Sequence, residues 1–485
     1  MTHLQNRPAA TSGAVEFPAD FAWGAATAAY QIEGAAAEDG RKPSVWDTFA
    51  RVPGAVVNGD TGDEACDHYH RMPQDVALMR DLNLNAYRFS VAWPRVQPTG
   101  SGAVEPRGLA YYDRLVDGLL ARGVQPMATL YHWDLPQPLE DAGGWPERAT
   151  AERFADYAAV VHDHLGDRVQ VWATHNEPWC AAYLGHAAGV HAPGKREPES
   201  AHRAAHHLLL GHGLAAARLH EAGADTVGIV LNLTPVWPER PEAAKAADGV
   251  DAIHNRVWLG PLIDGAYDER LRALAAPFDD SEVVRDGDLA LVHGSADWLG
   301  VNYYTPARVD VGGDDTSSGA VGQDTSAYPG VTDLRFAPRG SRTAMGWEVE
   351  PRGLEELLVD VHRRTDLPLV VTENGAAYDD STRAEDGSVD DPDRIAYLRD
   401  HLAAVERARS AGADVRAYVA WTLLDNFEWA EGYTKKFGLV EVSPADPTRT
   451  PKASYRWYSD LVHAGPPTDG VRQPLTLPAR SPRTK

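Results

Sequence analysis

Two glutamates occupy similar sequence surroundings, each following a run of apolar and β-branched residues. Glu177 lies in VWATHNEP and Glu373 in LVVTENG. Such a pair suits glycoside hydrolysis, because cleaving an acetal needs a proton on the leaving oxygen and a carboxylate facing the anomeric carbon. A separation of about 5 to 5.5 Å retains the anomeric configuration, whereas about 6.5 to 9.5 Å inverts it. The sequence alone leaves these two outcomes open.

Other polar clusters accompany the two glutamates. Each contains carboxylates, amides, basic residues or aromatic residues near a predicted strand end, where barrel enzymes carry their sites. A single glutamate there is more often a surface residue, and a single tryptophan is more often part of a core. The interpretation therefore depends on the whole set, which comprises QIEG (31–34), RFSVAWPR (88–95), HWD (132–134), THNEPW (174–179), NYY (302–304), TENG (372–375) and WTLLDNFEW (421–429).

The elements that position these clusters follow a regular alternation of short strand-like runs and longer amphipathic stretches, typical of a parallel sheet. Strands are predicted at 21–26, 86–90, 125–130, 169–174, 227–232, 298–302, 369–372 and 415–421. Eight strands with intervening helices favour an α/β fold of one closed (β/α)8 TIM barrel. An open doubly wound sheet is the alternative, although no G-x-G-x-x-G follows the first strand to support its dinucleotide-binding form.

The domain organisation predicted from this pattern is simple. The barrel is expected to span residues 15–463, with terminal extensions at 1–14 and 464–485. The segment from Val309 to Asp333 is rich in Gly, Asp and Ser, which predicts a long loop on the catalytic face. Prolines and weak apolar patterning after His463 predict a surface extension or a disordered end.

Composition limits the expected partners and location. The formal net charge is −24, and no basic run with interleaved aromatics occurs, so nucleic acid is not expected as a partner. No apolar run approaches the about 20 residues of a membrane span, and the first residues do not resemble a secretory signal. Two cysteines, Cys66 and Cys180, cannot form a disulfide framework. These features predict a soluble cytoplasmic protein without a membrane partner, and they leave the oligomeric state open.

A histidine-rich stretch contains a spacing that could suggest a metal site. His202, His206, His207 and His212 include an i, i+4 pair, but no H-E-x-x-H motif occurs and no acidic ligand follows at a suitable spacing. We therefore expect a helix that packs on the barrel and no metal ligands.

The motifs together resemble those of glycoside hydrolase family 1. The resemblance covers about residues 17–462 and rests on FAWGAATAAYQIEG, YRFSVAWPR, YHWDLP, THNEPW, NYY, TENG and WTLLDNFEWAEGY, which occur in the family's order. It implies a (β/α)8 β-glycosidase that acts with retention and without a metal or organic cofactor. The expected activity is that of a β-glucosidase on terminal β-D-glucosyl residues of small β-glucosides and oligosaccharides such as cellobiose. Side activity on β-galactosides or β-fucosides and transglycosylation are also implied.

The resemblance also implies roles for individual residues. Glu177 is expected to be the acid/base and Glu373 the nucleophile, with Arg88 as a cation near Glu373. Asn302 and Tyr304 correspond to partners of the nucleophile, and Trp347 and Trp179 to walls for the aglycone. The remaining expected sugar-binding residues are Gln31, His132, Trp133, Asn176, Trp421, Glu428 and Trp429, with Trp421 forming the platform beneath the sugar ring.

Elementary electrostatics agrees with these roles. A nucleophile must be ionised, and donors from Arg88 and Tyr304 would favour the charged form of Glu373. The pKa of Glu177 must be raised for it to act as an acid, and repulsion by an ionised Glu373 is expected to raise it. Once the glycosyl ester forms, that repulsion disappears and Glu177 can act as a base.

Two alternative functions are left open by the sequence. A 6-phospho-β-glycosidase would need a cationic pocket, for which Lys435 and Lys436 are candidates, although Glu428 would oppose a phosphate. A noncatalytic sugar-binding protein could keep the fold, although it would have no need of both glutamates.

Overall fold

A closed ring of eight parallel strands forms the centre of the computed structural model, which describes residues 17–312, 323–443, 447–464 and 473–478. Neighbours in the ring follow chain order, and the last strand closes onto the first. The (β/α)8 barrel is thus confirmed, the open sheet is excluded, and the predicted strand bounds are correct within two residues. The strands are β1 (Ala22–Ala26), β2 (Ala86–Ser90), β3 (Gln125–Tyr131), β4 (Val171–Asn176), β5 (Thr226–Leu231), β6 (Trp298–Asn302), β7 (Leu369–Asn374) and β8 (Val415–Trp421).

Each strand is followed by at least one helix of the outer layer. Four of these helices begin with proline, whose fixed φ and missing N–H suit the first helical turn. Leu109 and Leu115 of the second helix are buried as their spacing predicts, whereas Leu120 is 42% exposed and falls outside the buried face. The principal helices are α1 (His68–Asp81), α2 (Pro106–Leu120), α3 (Arg148–Leu165), α4 (Pro198–Glu221), α5 (Ala244–Asp251), α6 (Pro351–Thr365), α7 (Pro392–Ser410) and α8 (Ala453–Ala464).

Shorter elements shape the loops. The short α-helices are Ala29–Ile32, Val45–Phe49, Trp93–Val96, Gln137–Asp141, Val257–Leu259, Glu269–Leu274 and Asp288–Val292. Single turns of 3-10 helix are Val57–Gly59, Pro241–Ala243, Ala276–Phe278, Thr325–Ala327 and Trp429–Glu431, and π-helical segments are Cys180–Ala188, Ala252–Arg256 and Gly260–Asp264. The strands Val440–Val442 and Arg449–Pro451 form an antiparallel pair.

The predicted long loop at 309–333 is only partly irregular. Its first residues belong to the strand Ala307–Val311, which pairs with Val236–Pro238 and with Leu334–Phe336 in a small three-stranded sheet. The alternating ARVDV sequence supports this strand, because Val309 is buried while Arg308 is partly exposed. Residues 313–322 of the predicted loop lie outside the described residues.

The barrel interior holds an apolar inner cluster near its amino end. It combines small side chains, such as Ala22, Ala86 and Ala417, with larger ones, such as Met127 and Trp298. A second and larger apolar cluster includes the residues that pack between strands and helices. The charged and amide side chains stand at the carboxyl ends of the strands.

Part of the tail packs against this inner cluster. Leu475 and Leu477 are buried, and the main-chain carbonyls of Gln473 and Leu475 accept hydrogen bonds from Asn85 and Gln125. Residues 473–478 therefore lie on the surface with their other four side chains exposed, while the two leucines anchor the segment to the barrel. The expected extension at 1–14 lies outside the described residues. Within the described part of the chain, no helix is long and apolar enough to cross a membrane.

Candidate active site

A cavity opens at the carboxyl ends of the barrel strands and contains both glutamates. A concave site lined by aromatic side chains and a few polar groups is typical of small-molecule binding. Of the predicted residues, the lining includes Glu177, Glu373, His132, Trp133, Trp179, Asn302, Tyr304, Trp347, Trp421, Glu428 and Trp429. Arg88 and Asn176 stand behind this lining and hydrogen-bond to it. Gln31 hydrogen-bonds instead to Asn426 and to the carbonyl of Phe427.

Irregular strand ends aim the two glutamates into the cavity. The register between β4 and β5 shifts between Ala173 and Asn176, and that between β7 and β6 shifts between Val371 and Glu373. Such bulges redirect side chains and are common beside active sites. Glu177 itself has a φ of 45°, a left-handed conformation that non-glycine residues rarely adopt.

The TENG motif has a steric explanation at its last position. A Cβ atom on Gly375 would lie 1.8 Å from the carbonyl oxygen of Trp421. Only glycine permits this approach of the β7 loop to the end of β8. The motif therefore brings the Glu373 and Trp421 segments together.

Glu373 is held by two donors. Arg88 Nη1 donates to its Oε1 at 2.6 Å, and the hydroxyl of Tyr304 donates to its Oε2 at 2.7 Å. Burial raises the pKa of Glu373, and Arg88, Tyr304 and Asn302 oppose that rise by stabilising the charged form. The donors expected around Glu373 are present, and they favour its ionised form against the effect of burial.

Glu177 has weaker partners. Asn302 Nδ2 donates to its Oε1 at 2.9 Å, and the thiol of Cys180 donates to its Oε2 at 3.4 Å. The pKa of Glu177 is raised to about 8, first by burial and second by the charge of Glu373. The prediction named repulsion as the cause, whereas desolvation contributes more because the carboxyl group is enclosed by the barrel.

A continuous set of hydrogen bonds joins the two glutamates. Arg88 contacts Glu373 and also donates to Asn176 Oδ1 at 2.6 Å, and Asn302 Nδ2 donates to the same oxygen at 3.0 Å and to Glu177. Asn302 was predicted to be a partner of the nucleophile, and a side-chain hydrogen bond from it lowers the pKa of Glu373. It also donates to Glu177 and Asn176, so it links the two glutamates.

The side of the cavity formed by the β8 and β1 segments is called here the acidic end, comprising Gln31, His132, Trp421, Glu428 and Trp429. Its polar residues keep buried atoms without a hydrogen-bond partner among the described residues, namely Gln31 Oε1, His132 Nδ1 and Glu428 Oε2. Gln31 Nε2 is fixed by the Phe427 carbonyl at 2.8 Å, and His132 Nε2 by Asn176 Nδ2 at 2.9 Å. These three atoms are therefore available for hydrogen bonds with the hydroxyl groups of a ligand.

The carboxyl group of Glu428 and several aromatic rings lie together at the acidic end. The pKa of Glu428 is raised to about 8 by burial and then by Glu373 and Glu177. The ring of His132 lies parallel to Trp421 and Trp429, with centroid distances of 6.0 and 5.8 Å, and Trp133 contacts Trp429 at 4.4 Å. An indole face suits the apolar C–H face of a pyranose.

The side formed by segments after β4, β5 and β6 is called here the aromatic end, comprising Trp179, Leu233, Thr234, His254 and Tyr328. Of these, only Trp179 was predicted. His254 and Tyr328 stand in sequence without a recognisable motif, and they reach the cavity through a π-helical segment and a short loop turn. Trp347 lines the cavity nearby, with its ring centroid 5.2 Å from that of Tyr304 and 6.1 Å from that of Phe437.

The histidines of α4 serve the packing of that helix. His202 contacts the Tyr183 hydroxyl, His206 contacts Tyr267 and Asp288, and His212 contacts the Thr174 hydroxyl on β4. Within residues 17–312, 323–443, 447–464 and 473–478, no group of three or more His, Cys, Asp or Glu side chains could hold a metal ion.

Comparison with known proteins identifies the family. Residues 14–466 match the model described as glycosyl hydrolase family 1. The chain belongs to glycosyl hydrolase family 1. It is 49% identical to the thermostable beta-glucosidase B of Thermobispora bispora, over 93% of this chain and 91% of that protein. It is 48% identical to the bifunctional beta-D-glucosidase/beta-D-fucosidase of Bifidobacterium breve, over 92% of this chain and 98% of that protein.

Solved structures of family members share the barrel described above. The psychrophilic beta-glucosidase of Micrococcus antarcticus superposes with a TM-score of 0.89 at 47% identity, covering 93% of this chain and 98% of that one. The beta-glucosidase of Thermotoga maritima in complex with noeuromycin gives 0.86 at 40% identity, covering 93% and 99%. The family's fold is therefore kept along nearly the whole of both chains.

Proposed function

We propose that this family 1 enzyme is a retaining β-glucosidase, with Glu373 as nucleophile and Glu177 as acid/base. The observation that carries the proposal is the contrast between two buried glutamates in one cavity. Glu373 is paired with Arg88 at 2.6 Å, whereas the pKa of Glu177 is raised to about 8. Burial raises the pKa of both carboxyl groups, but Glu373 accepts from a cation and a hydroxyl, which favour its anion, whereas Glu177 accepts from an amide and a thiol. The predicted unit of residues 15–463 would contain the whole site.

In the first step, a carboxylate oxygen of Glu373 bonds to the anomeric carbon while the bond from that carbon to the aglycone oxygen breaks. The proton of Glu177 moves to the departing oxygen, so the aglycone leaves as a neutral alcohol. The product of this step is a glycosyl ester of Glu373. The charge of Glu373 is consumed, and the repulsion that raises the pKa of Glu177 is removed.

In the second step, the ionised Glu177 takes a proton from water, whose oxygen bonds to the anomeric carbon while the ester bond to Glu373 breaks. Two inversions give net retention. An alcohol that replaces water gives transglycosylation by the same residues. Asn302 donates to Glu177 Oε1, so the proton and the aglycone oxygen are expected at Oε2.

Sugar recognition is assigned to the acidic end. Gln31, His132 and Glu428 would pair with sugar hydroxyls through the atoms that lack partners, and Trp421 would lie beneath the ring. Small β-glucosides and cellobiose are the expected substrates. Activity on β-fucosides is an expected side reaction, because the similar protein of Bifidobacterium breve is named for both activities.

The two alternatives are less well supported by the site. Lys435 Nζ contacts the Ala344 carbonyl at 3.0 Å and Glu431 at 3.4 Å, so its charge is already partnered, and Glu428 adds a carboxyl group rather than a cation. A noncatalytic sugar-binding protein would gain nothing from two buried glutamates with different hydrogen-bond donors in one cavity.

Proton NMR of an aryl β-glucoside digest tests the proposal. β-Glucose should appear before mutarotation produces the α-anomer. The appearance of α-glucose first would show that Glu373 is not a nucleophile. Absence of turnover on aryl glucosides, with turnover on their 6-phosphates, would show that the substrate class is wrong.

A further inference from the structure

A group of charged side chains lies buried behind the loops that follow β7 and β8, outside the cavity lining. It contains two cations and three carboxylates, and their side chains are at most 8% exposed. The two-step reaction proposed above uses none of these charges. The group is called here the buried ion cluster and comprises Asp380, Asp391, Arg394, Asp425 and Lys452.

Lys452 joins the two loops directly. Its Nζ donates to Asp380 Oδ2 at 2.5 Å and to Asp425 Oδ1 at 2.8 Å. Asp380 lies seven residues after Glu373, in the loop that begins at TENG, and Asp425 lies three residues before Glu428. The amine of Lys452 therefore links the segment of the nucleophile with the segment that carries a residue of the acidic end.

Arg394 connects the same two loops from the first turn of α7. Its Nε donates to the Ala376 carbonyl at 3.2 Å, and its Nη2 donates to the Lys436 carbonyl at 2.6 Å and to Asp380 Oδ1 at 3.0 Å. Its Nη1 pairs with Asp391, which precedes the helix. A guanidinium holds its acceptors in a planar fork, so it fixes the relative positions of the groups that it joins.

Asp425 closes the loop that carries part of the acidic end. Its Oδ1 also accepts from the main-chain N–H of Gly438 at 2.8 Å, and a Cβ atom on Gly438 would lie 2.1 Å from the amide nitrogen of Asp425. Two residues after Asp425, the carbonyl of Phe427 accepts from Gln31 Nε2 at 2.8 Å. A shift of Asp425 would therefore also move Gln31 and Glu428.

The reaction requires a fixed distance across the site. A pyranose ring has a fixed size, so the oxygen that attacks the anomeric carbon and the groups that bind the hydroxyls must stand at a matching separation. A misplacement of about 1 Å can lower a rate by about 100-fold. Buried ion pairs often stabilise a protein no more than apolar packing would, whereas they restrict the positions of the groups that they join. The buried ion cluster is therefore better suited to aligning two loops than to adding stability.

We propose that Lys452 and Arg394 are positioning residues that hold Glu428 at a fixed position relative to the nucleophile Glu373. The inference rests on the proposed function, because it concerns how two parts of that site are aligned. Neither cation touches the sugar. Loss of Lys452 allows the loop of Glu428 to shift, and a sugar bound to that loop shifts with it, away from Glu373.

Lys452→Met is the main test, because it removes the amine and keeps most of the length of the side chain. We expect kcat for an aryl β-glucoside to fall by about 100-fold while KM changes by less than about threefold, since the sugar still binds but is misaligned for attack. Circular dichroism checks that the variant is folded at the assay temperature. An unchanged kcat, or a loss that appears in KM alone, would overturn the proposal.

A double-mutant cycle separates positioning from a general loss of structure. If Lys452 acts through Glu428, Lys452→Met in the Glu428→Gln background should lower kcat by less than about tenfold further, because the aligned contact is already lost. Two losses that simply multiply would show that Lys452 acts independently of Glu428, which would overturn the proposal.

Thermal stability gives a second distinction. Lys452→Met leaves Asp425 as a buried carboxylate without its ion pair, and Asp425→Asn removes that charge. The double variant Lys452→Met/Asp425→Asn should therefore recover part of the lost Tm but none of the lost kcat. Recovery of kcat together with Tm would show that Lys452 only stabilises the protein, which would overturn the proposal.

Asp380→Asn is a milder change that keeps the shape of the side chain, and it provides the test if Lys452→Met does not fold. Its kcat should fall by at least about tenfold with little change in KM. An unaltered kcat in folded Asp380→Asn would overturn the proposal.

Arg148→Met is the matched control, because Arg148 pairs with the buried Asp288 at 2.6 Å outside the cavity lining. Its Tm should fall while its kcat stays that of the unaltered enzyme. A loss of kcat equal to that of Lys452→Met would show that any broken ion pair slows the enzyme, which would overturn the proposal.

The failure of this inference and that of the proposed function give different results. Full kcat in Lys452→Met, with turnover of aryl β-glucosides by the unaltered enzyme, overturns the positioning role alone. Absence of turnover by the unaltered enzyme would contradict the β-glucosidase activity itself.

Discussion

At the acidic end of the cavity, buried polar atoms of Gln31, His132 and Glu428 have no partner among the described residues, whereas at the aromatic end His254 and Tyr328 satisfy each other. Both regions are built on loops of the same barrel and are similarly buried. They differ in whether the protein or the ligand completes the hydrogen bonds.

The difference has an energetic meaning. Leaving a buried polar group without any partner costs about 1–3 kcal/mol, so the acidic end favours a ligand whose hydroxyls pair with these atoms. Among the residues of the aromatic end, the indole N–H of Trp179 alone lacks a partner within the described part of the chain, and that end offers mainly contact area. Strict recognition is therefore expected at one end and broad, apolar recognition at the other.

Loss of the nucleophile between the two ends should have the largest effect. Glu373→Ala is expected to lower kcat for aryl β-glucosides by at least about 10⁴-fold, on the scale of other covalent catalysts. Steady-state kinetics checks this, and azide, which can attack the anomeric carbon in place of the missing carboxylate, should restore some turnover with α-glycosyl azide as the product. A loss under a hundredfold would assign the nucleophile elsewhere.

Loss of the acid should depend on the leaving group and hence on the occupant of the aromatic end. Glu177→Ala is expected to slow methyl and benzyl β-glucosides by about 10²–10⁴-fold, the usual contribution of a general acid. Formation of the glycosyl ester from dinitrophenyl glucoside, measured as a pre-steady-state burst, should be far less affected, since that phenolate leaves without a proton. Equal losses on both substrates would contradict the acid/base assignment.

The contrast between the two ends is tested by one polar variant in each. Glu428→Gln should lower kcat/KM for aryl glucosides by about 10²-fold or more, because one of the two carboxyl oxygens is replaced by an NH2 group that can only donate. Thr234→Val removes a hydroxyl that already donates to the Thr305 carbonyl, and it should change kcat/KM by less than about tenfold. Comparable losses in the two variants would break the distinction drawn above.

The smallest effect concerns the thiol beside the acid. The acid form of Glu177 is present below its pKa of about 8, so kcat/KM for benzyl glucoside should fall as the pH rises through about 8. The Cys180 thiol stabilises the carboxylate form of Glu177. Cys180→Ala should therefore raise the pKa of Glu177, and the fall in kcat/KM should move to higher pH. Cys180→Ser keeps a donor and serves as the control. If the pH at which kcat/KM falls is unchanged in Cys180→Ala, the thiol has no electrostatic role.

Much of the fold could be predicted because the local spacing of apolar residues and the order of strand-like and helix-like runs indicate the same barrel. The apolar run before Glu177 and the one before Glu373 gave strands β4 and β7 within two residues of their bounds. The exposure of Leu120 and the burial of Leu475 and Leu477 could not be predicted from the sequence, because burial there depends on distant surfaces rather than on local spacing. The strand Ala307–Val311 within the predicted loop was missed for the same reason, since its pairing partners are remote.

The sequence by itself determined the family, the barrel and the two glutamates, because motifs at strand ends depend on local residue order. The tertiary structure decided which atoms are left without partners, that burial more than repulsion raises the pKa of Glu177, and that Asn302 bonds to Glu177. It also brought His254 and Tyr328 into one wall from segments 74 residues apart. Desolvation and hydrogen-bond saturation depend on every neighbour in space, and a linear pattern does not contain those neighbours.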